Sequence, residues 1–149
     1  MQSGNLGRSG SGARQELAID FVALVKALAA RKFPDGIEGV VAIANGGTVP
    51  GALVAQRLGV GLKTITMSYR NDLDEPEFSL PKLVSSVPSL GDWRRVLLVD
   101  DVYLSGKSLA AARAQLPGRV EIIPFVLVGD VDFALFRQSG QSVHWPWSH

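Results

Sequence analysis

Val96-Leu97-Leu98-Val99-Asp100-Asp101-Val102-Tyr103-Leu104-Ser105-Gly106-Lys107-Ser108-Leu109 is the stretch that decides the fold of this 149-residue chain. Its opening apolar run, rich in β-branched side chains, reads as a buried strand. Two adjacent carboxylates stand at the strand's carboxyl end. A short loop with hydroxyls and one glycine follows, and an Ala-rich stretch from Ser108 reads as a helix. This order sets free backbone N–H groups and a helix N-terminus where they can hold a phosphate. The acids beside that cradle can accept hydrogen bonds from sugar hydroxyls or hold a hydrated Mg²⁺. A Walker loop is excluded, because its first glycine would fall at Asp101.

Working outward, the same alternation repeats. Residues 1–12 are Gly/Ser-rich and have almost nothing to bury, so they are expected to be a disordered tail or an expression remnant outside the fold. Residues 13–149 are expected to form a single domain. From Ala13 to Arg31 the apolar residues Leu17, Phe21, Leu24, Val25 and Leu28 recur at three- and four-residue steps, which predicts one amphipathic helix. Gly39 to Ala44 reads as a buried parallel strand, broken by Asn45-Gly46-Gly47. Val49 to Leu58 reads as a helix stopped by Gly59, and Leu62 to Met67 as a strand. From Ser68 to Trp93 no period holds, and a loop of that length points to a lid or binding loop. Arg95 to Val99 is the next strand, Ser108 to Leu116 a helix, and Val120 to Val128 the last strand. Strands alternating with helices predict a doubly wound parallel α/β sheet. Ligands bind such sheets beyond the carboxyl ends of the strands, where the Asp pair lies.

Composition narrows the partners. With 15 basic and 14 acidic residues the chain carries no electrostatic footprint for nucleic acid. No apolar run is long enough to span a bilayer, and Pro124 interrupts the longest one. Cysteine is absent, which removes disulfides and thiolate metal sites and fits a reducing, cytoplasmic setting.

Residues 96–109 resemble the phosphoribosyl pyrophosphate (PRPP) signature of type I phosphoribosyltransferases: a hydrophobic strand, two acids, a Ser/Thr-Gly turn, and Ser/Thr two residues after the glycine. The resemblance is nearest to the hypoxanthine/guanine/xanthine enzymes. It implies that Asp100 and Asp101 hold the ribose hydroxyls at the catalytic centre, and that the loop Leu104, Ser105, Gly106, Lys107 and Ser108 holds the 5′-phosphate. The segment Ile43 to Leu53 resembles the pyrophosphate loop of the guanine/xanthine enzymes, with Asn45, Gly46 and Gly47 in the turn. Its two glycines let the backbone approach an anion and accept φ > 0. Ser68-Tyr69-Arg70 resembles the Ser-Tyr start of their catalytic lid, with Arg70 a cation toward the pyrophosphate. The ending Val143-His144-Trp145-Pro146-Trp147 resembles the small hood that grips the purine. Val143 and Trp145 are then base-binding candidates, with Trp145 and Trp147 as core of the hood or a dimer contact the equal alternative.

The resemblance also has departures. Asn45 stands where many members carry Arg or Lys. Leu104 stands where purine enzymes commonly place an acid near the base. Phe125-Val126-Leu127-Val128 supplies no lysine for the 6-oxo group, although Asp130 and Asp132 lie just beyond. The implied fold is a type I phosphoribosyltransferase domain with a flexible lid and a small C-terminal hood. The implied chemistry is Mg²⁺-dependent transfer of ribose-5-phosphate from PRPP to a nucleobase, in a homodimer without a strong protein metal site. Two alternatives stand beside it: the same fold acting on a non-purine acceptor, and a non-catalytic PRPP- or nucleotide-binding module.

Overall fold

Apolar residues at consecutive positions of a central strand must go to opposite faces, and that is how this chain builds two cores. The structure, a computed structural model, describes residues 16–68, 81–138 and 142–148. In chain order the elements are β1 (Glu16–Ala18), α1 (Phe21–Ala30), β2 (Gly39–Ala44), α2 (Thr48–Leu58), β3 (Gly61–Ser68), β4 (Lys82–Leu83), β5 (Arg95–Val102), α3 (Lys107–Ala114), β6 (Glu121–Gly129), β7 (Ala134–Arg137) and β8 (Ser142–His144). The main sheet has the order β4-β3-β2-β5-β6-β7. Only β4 runs antiparallel to its neighbour. Leu98 and Val41 face α3, where they pack with Leu109, Ala112 and Leu116. Their neighbours Leu97 and Val40 face α1 and α2, with Leu24, Leu28, Val54 and Ala55. The α/β doubly wound arrangement expected from the alternation is the one observed.

This winding positions the site. The units β2-α2-β3 and β5-α3-β6 run outward in opposite directions from the central β2–β5 pair. Right-handed crossovers then set α2 and α3 on opposite faces. The loops after β2 and β5 meet at the switch point, beyond the carboxyl ends of the strands.

Three expectations change. The helix read over Ala13 to Arg31 is only Phe21–Ala30. Asp20 stops it from starting earlier: its Oδ1 accepts from the Ala23 N–H at 2.8 Å, an N-cap bond. Before it, Glu16–Ala18 extends as β1 and pairs in parallel with β8, Leu17 opposite Val143. Leu17 therefore belongs to a strand face, and its spacing from Phe21 coincides with a helical step by chance. Asp20→Ala is expected to lower stability by about 1 kcal/mol in urea unfolding; an unchanged midpoint would show that the helix does not begin there. Next, the long loop contributes β4, a two-residue strand on Met67 and Ser68; residues 69–80 lie outside the described ones. Finally, β7 and β8 were not expected. Four residues, 130–133, connect two parallel strands that usually need a crossover of a dozen. Arginines hold this return. Arg31 donates to the carbonyls of Ala134 and Asp132 at 3.0 and 3.3 Å. Arg137 pairs with Asp130 and Asp132 at 3.1 and 2.6 Å.

No described helix is long and apolar enough to cross a membrane.

Candidate functional site

The strand β5 carries its apolar run straight into two carboxylates, so the burial that forms the strand also buries the first acid. Asp100 is 8 % exposed. Its Oδ1 accepts from the Asp101 N–H at 2.9 Å, and the Asp101 Oδ1 accepts from the Val102 N–H at 2.8 Å. Burial first, and the neighbouring Asp101 charge second, push the Asp100 carboxyl from its ordinary 3.8 up to about 8.

After Val102 the chain folds over itself. Gly106 has φ +80°, and a Cβ there would stand 2.5 Å from the Tyr103 hydroxyl. Handedness and space both demand glycine. The Lys107 N–H donates to the Ser105 Oγ at 3.3 Å, and α3 begins at Lys107. The result is a hollow of about 170 Å³ lined by Asp100 and by every residue from Val102 to Leu109. The start of α3 lines it, and a helix N-terminus presents N–H groups that can receive an anion. Within it Leu104 is 58 % exposed.

The loop after β2 leans against the end of β5, beside this hollow. A Cβ on Gly46 would stand 2.6 Å from the Asp101 Oδ2. One on Gly47 would stand 2.6 Å from the Val99 carbonyl and 2.7 Å from that of Ile43. The Gly47 N–H donates to the Ile43 carbonyl at 2.7 Å, and the Thr48 N–H to the Asn45 carbonyl at 3.1 Å, turning the chain into α2. The Ala44–Asn45 peptide is cis. Neither Gly46 nor Gly47 has a positive φ. These glycines are required for close approach to β5 and not for handedness, a correction to the expectation.

The remaining candidates are placed as follows. Ser68 ends β3 on the same edge of the sheet, paired with Lys82; Tyr69 and Arg70 lie outside the described residues. Val143 is half-buried in β8. Trp145 is 5 % exposed, and its ring lies parallel to that of Trp147 at 5.2 Å. The Trp145 N–H donates to the Ser148 Oγ at 2.9 Å. Trp145 thus belongs to the core shared with α1. Asp130 and Asp132 are both engaged by Arg137.

Sequence reasoning passed over Tyr103. Its N–H donates to the Val128 carbonyl at 2.8 Å, its ring meets Phe133 edge-on at 5.5 Å, and its hydroxyl backs Gly106. The available signal was an aromatic residue inside an otherwise small and polar loop.

No group of three or more His, Cys, Asp or Glu side chains suited to a metal occurs among the described residues. The Asp pair fits a cation whose other ligands come from a bound substrate and water.

Comparison with known proteins agrees with this geometry. A xanthine-guanine phosphoribosyltransferase of Roseobacter denitrificans is 37 % identical over 83 residues, 52 % of this chain and 47 % of that protein. The enzyme of the same name from Idiomarina loihiensis is 25 % identical over 125 residues, 80 % of this chain and 77 % of that protein. The chain therefore spans about half the length of the first relative and about three quarters of the second. The purine phosphoribosyltransferase of Pyrococcus horikoshii shares the fold with a TM-score of 0.70 at 23 % identity, covering 90 % of this chain and 95 % of that one. Residues 15–128, which contain both glycine loops and the Asp pair, match the phosphoribosyl transferase domain, and the chain belongs to that family.

Proposed function

We propose that this protein is a phosphoribosyltransferase that moves ribose-5-phosphate from PRPP to a purine base and releases pyrophosphate. The observation that carries this reading is the contact between the two loops: Gly46 lies against Asp101, beside the hollow closed by Gly106. A substrate with phosphate at one end, a ribose in the middle and pyrophosphate at C1′ needs that order of partners. The amides and hydroxyls of Ser105 to Ser108 hold the 5′-phosphate, Asp100 and Asp101 accept from the ribose hydroxyls, and the Asn45 to Gly47 backbone faces the pyrophosphate. Ser68 and, from the family resemblance, Tyr69 and Arg70, which lie outside the described residues, are assigned to the pyrophosphate. Val143 supports the base from the hood, whose core Trp145 fills.

The base nitrogen forms a bond to C1′ as the bond from C1′ to pyrophosphate oxygen breaks, and the oxygen leaves with the electron pair. Positive charge builds on the ribose, where the negative charge of the Asp pair stabilises it; catalysis is positioning and electrostatics. Mg²⁺, held by Asp100 or Asp101 together with substrate oxygens, would neutralise charge on the departing pyrophosphate. We assign the protein to the cytoplasm, as a single domain over residues 13–149 acting in a homodimer. Absent cysteine supports the first assignment, and the family resemblance supports the dimer.

Pyrophosphate release from PRPP, measured with Mg²⁺ against a panel of purine and pyrimidine bases, tests the reading. Release with a purine, lost at least 10³-fold in Asp100→Asn/Asp101→Asn, is the expected result. Release with a pyrimidine alone would move the acceptor outside the purines. The exposed apolar Leu104, in a loop with no carboxylate beyond Asp101, favours a second reading, a PRPP- or nucleotide-binding module without turnover. Saturable PRPP binding with no release under any base would establish it.

A further inference from the structure

A cleft of about 560 Å³ lies outside the site just described, against about 170 Å³ for the phosphate hollow. It exists because β7 covers only Val126 to Gly129 of β6, leaving the amino half of that strand without an outer neighbour. Its floor is Leu97, Ile123 and Phe125, and its walls are Phe33 on one side and Phe133 on the other. Phe33 meets Phe125 edge-on at 5.1 Å, so the aromatic surface is already ordered.

Charge at the rim is unevenly buried. Arg31 lies over the Phe125 ring at 5.5 Å and is oriented by two carbonyls, which fix it without neutralising it. Lys32 lines the same rim with no ion pair among the described residues. Of the two acids there, Asp132 shares Arg137 with Asp130 and its side chain is 93 % exposed, and Asp35 is exposed as well, so among the charged residues lining the cleft only Arg31 is half-buried. An anion is therefore favoured. The free strand edge does not invite another strand, because Pro124 has no N–H to offer and sits in the uncovered half. A flat, apolar, negatively charged small molecule meets all of these conditions, and the volume is within the range of ligand pockets.

The cleft is also joined to the phosphate loop. A second hollow of about 230 Å³ shares Pro124 and Phe133 with the cleft, and shares Tyr103, Gly106 and Leu109 with the phosphate hollow. Phe133 packs on Tyr103 at 5.5 Å, and the Tyr103 hydroxyl backs Gly106. A molecule that presses on Phe133 thus presses, through one further ring, on the backbone that holds the phosphate.

We propose that this edge cleft is a regulatory site for a small aromatic anion, coupled through Phe133 and Tyr103 to the phosphate loop. The coupling rests on the function proposed above; the binding does not.

The test uses 1-anilinonaphthalene-8-sulfonate, a fluorescent aromatic anion, on the full chain. One dye per protein is expected, with affinity reduced at least fivefold by Lys32→Glu and abolished by Ile123→Trp, which fills the floor. Cooperative urea unfolding of each variant shows that it is folded. Saturating dye is expected to change the PRPP dissociation constant threefold or more in the unmodified chain, and PRPP must change dye affinity by the same factor. Phe133→Leu is expected to shrink that factor toward one. Absent dye binding, or binding indifferent to both Lys32→Glu and Ile123→Trp, overturns the site. Dye binding that responds to both variants but leaves PRPP affinity unchanged overturns the coupling. A chain that binds no PRPP at all overturns the proposed function instead, and the dye titration still decides the cleft.

Discussion

Gly47→Ala is expected to cost at least 100-fold in kcat/KM for pyrophosphate release and about 1–3 kcal/mol in stability. The added Cβ would stand 2.6 Å from the Val99 carbonyl, 2.7 Å from the Ile43 carbonyl and 3.1 Å from the Asp100 Cα. All three are backbone atoms of β2 and β5 or their immediate ends, so no side chain can rotate away. The strands must part at the point where the two loops meet, and Asp100 moves with β5. Gly46→Ala separates the two effects. The three atoms nearest its Cβ would all belong to the Asp101 carboxyl, at 2.6 to 2.8 Å. That side chain can turn aside and leave the strands in register, but it then leaves the place proposed for the ribose. Gly46→Ala is expected to lose activity comparably while its urea midpoint stays within about 0.5 kcal/mol of the parent. Gly118→Ala, with nothing within 4 Å of its Cβ, is the neutral control. If Gly47→Ala keeps full activity, the close approach of the loop to β5 is not what organises the site.

Why the glycines matter was not legible in the sequence, although their presence was. Asn45-Gly46-Gly47 suggests an anion loop through the freedom of glycine at positive φ, yet both glycines have ordinary φ values and serve by lacking a side chain. Spacing along one chain carries no information about which strand lies alongside, and the Val99 carbonyl is fifty residues away. Gly106 is the opposite case: its left-handed φ follows from local turn chemistry, and the motif around it could be read directly. The central strands were legible for a similar reason, since runs such as Val96 to Val99 are buried on both faces and need no partner to be recognised. β7 and β8 were not, because four and three residues hold too little pattern. They exist through tertiary contacts, Arg31 on the return before β7 and β1 beside β8. Leu17 shows the same limit from the other side: a helical step in the sequence became a strand pair in the fold.

Asp100→Asn is expected to make the protein more stable by about 3 kcal/mol at pH 9 and by a smaller margin at pH 5. The sign follows from proton counting. In the folded chain the Asp100 carboxyl titrates at about 8, against an ordinary 3.8. Between those values the folded state holds a proton that the unfolded state has released, so stability falls as pH rises through this window and levels off above it. Each unit of separation is worth about 1.4 kcal/mol, and taking half of the separation, because Asp101 shares the titration, leaves about 3 kcal/mol. Asparagine fills the same space, can still accept from the Asp101 N–H, and has no charge to desolvate. Its stability should be flat from pH 5 to pH 9, where the parent declines; urea midpoints at five pH values would display the difference. Parallel curves for the two proteins would mean that Asp100 is ionised throughout and that burial has not shifted it. The same substitution is expected to abolish pyrophosphate release. If release is lost while stability at pH 9 rises, the Asp100 carboxyl serves the ligand of the proposed function at the expense of the fold.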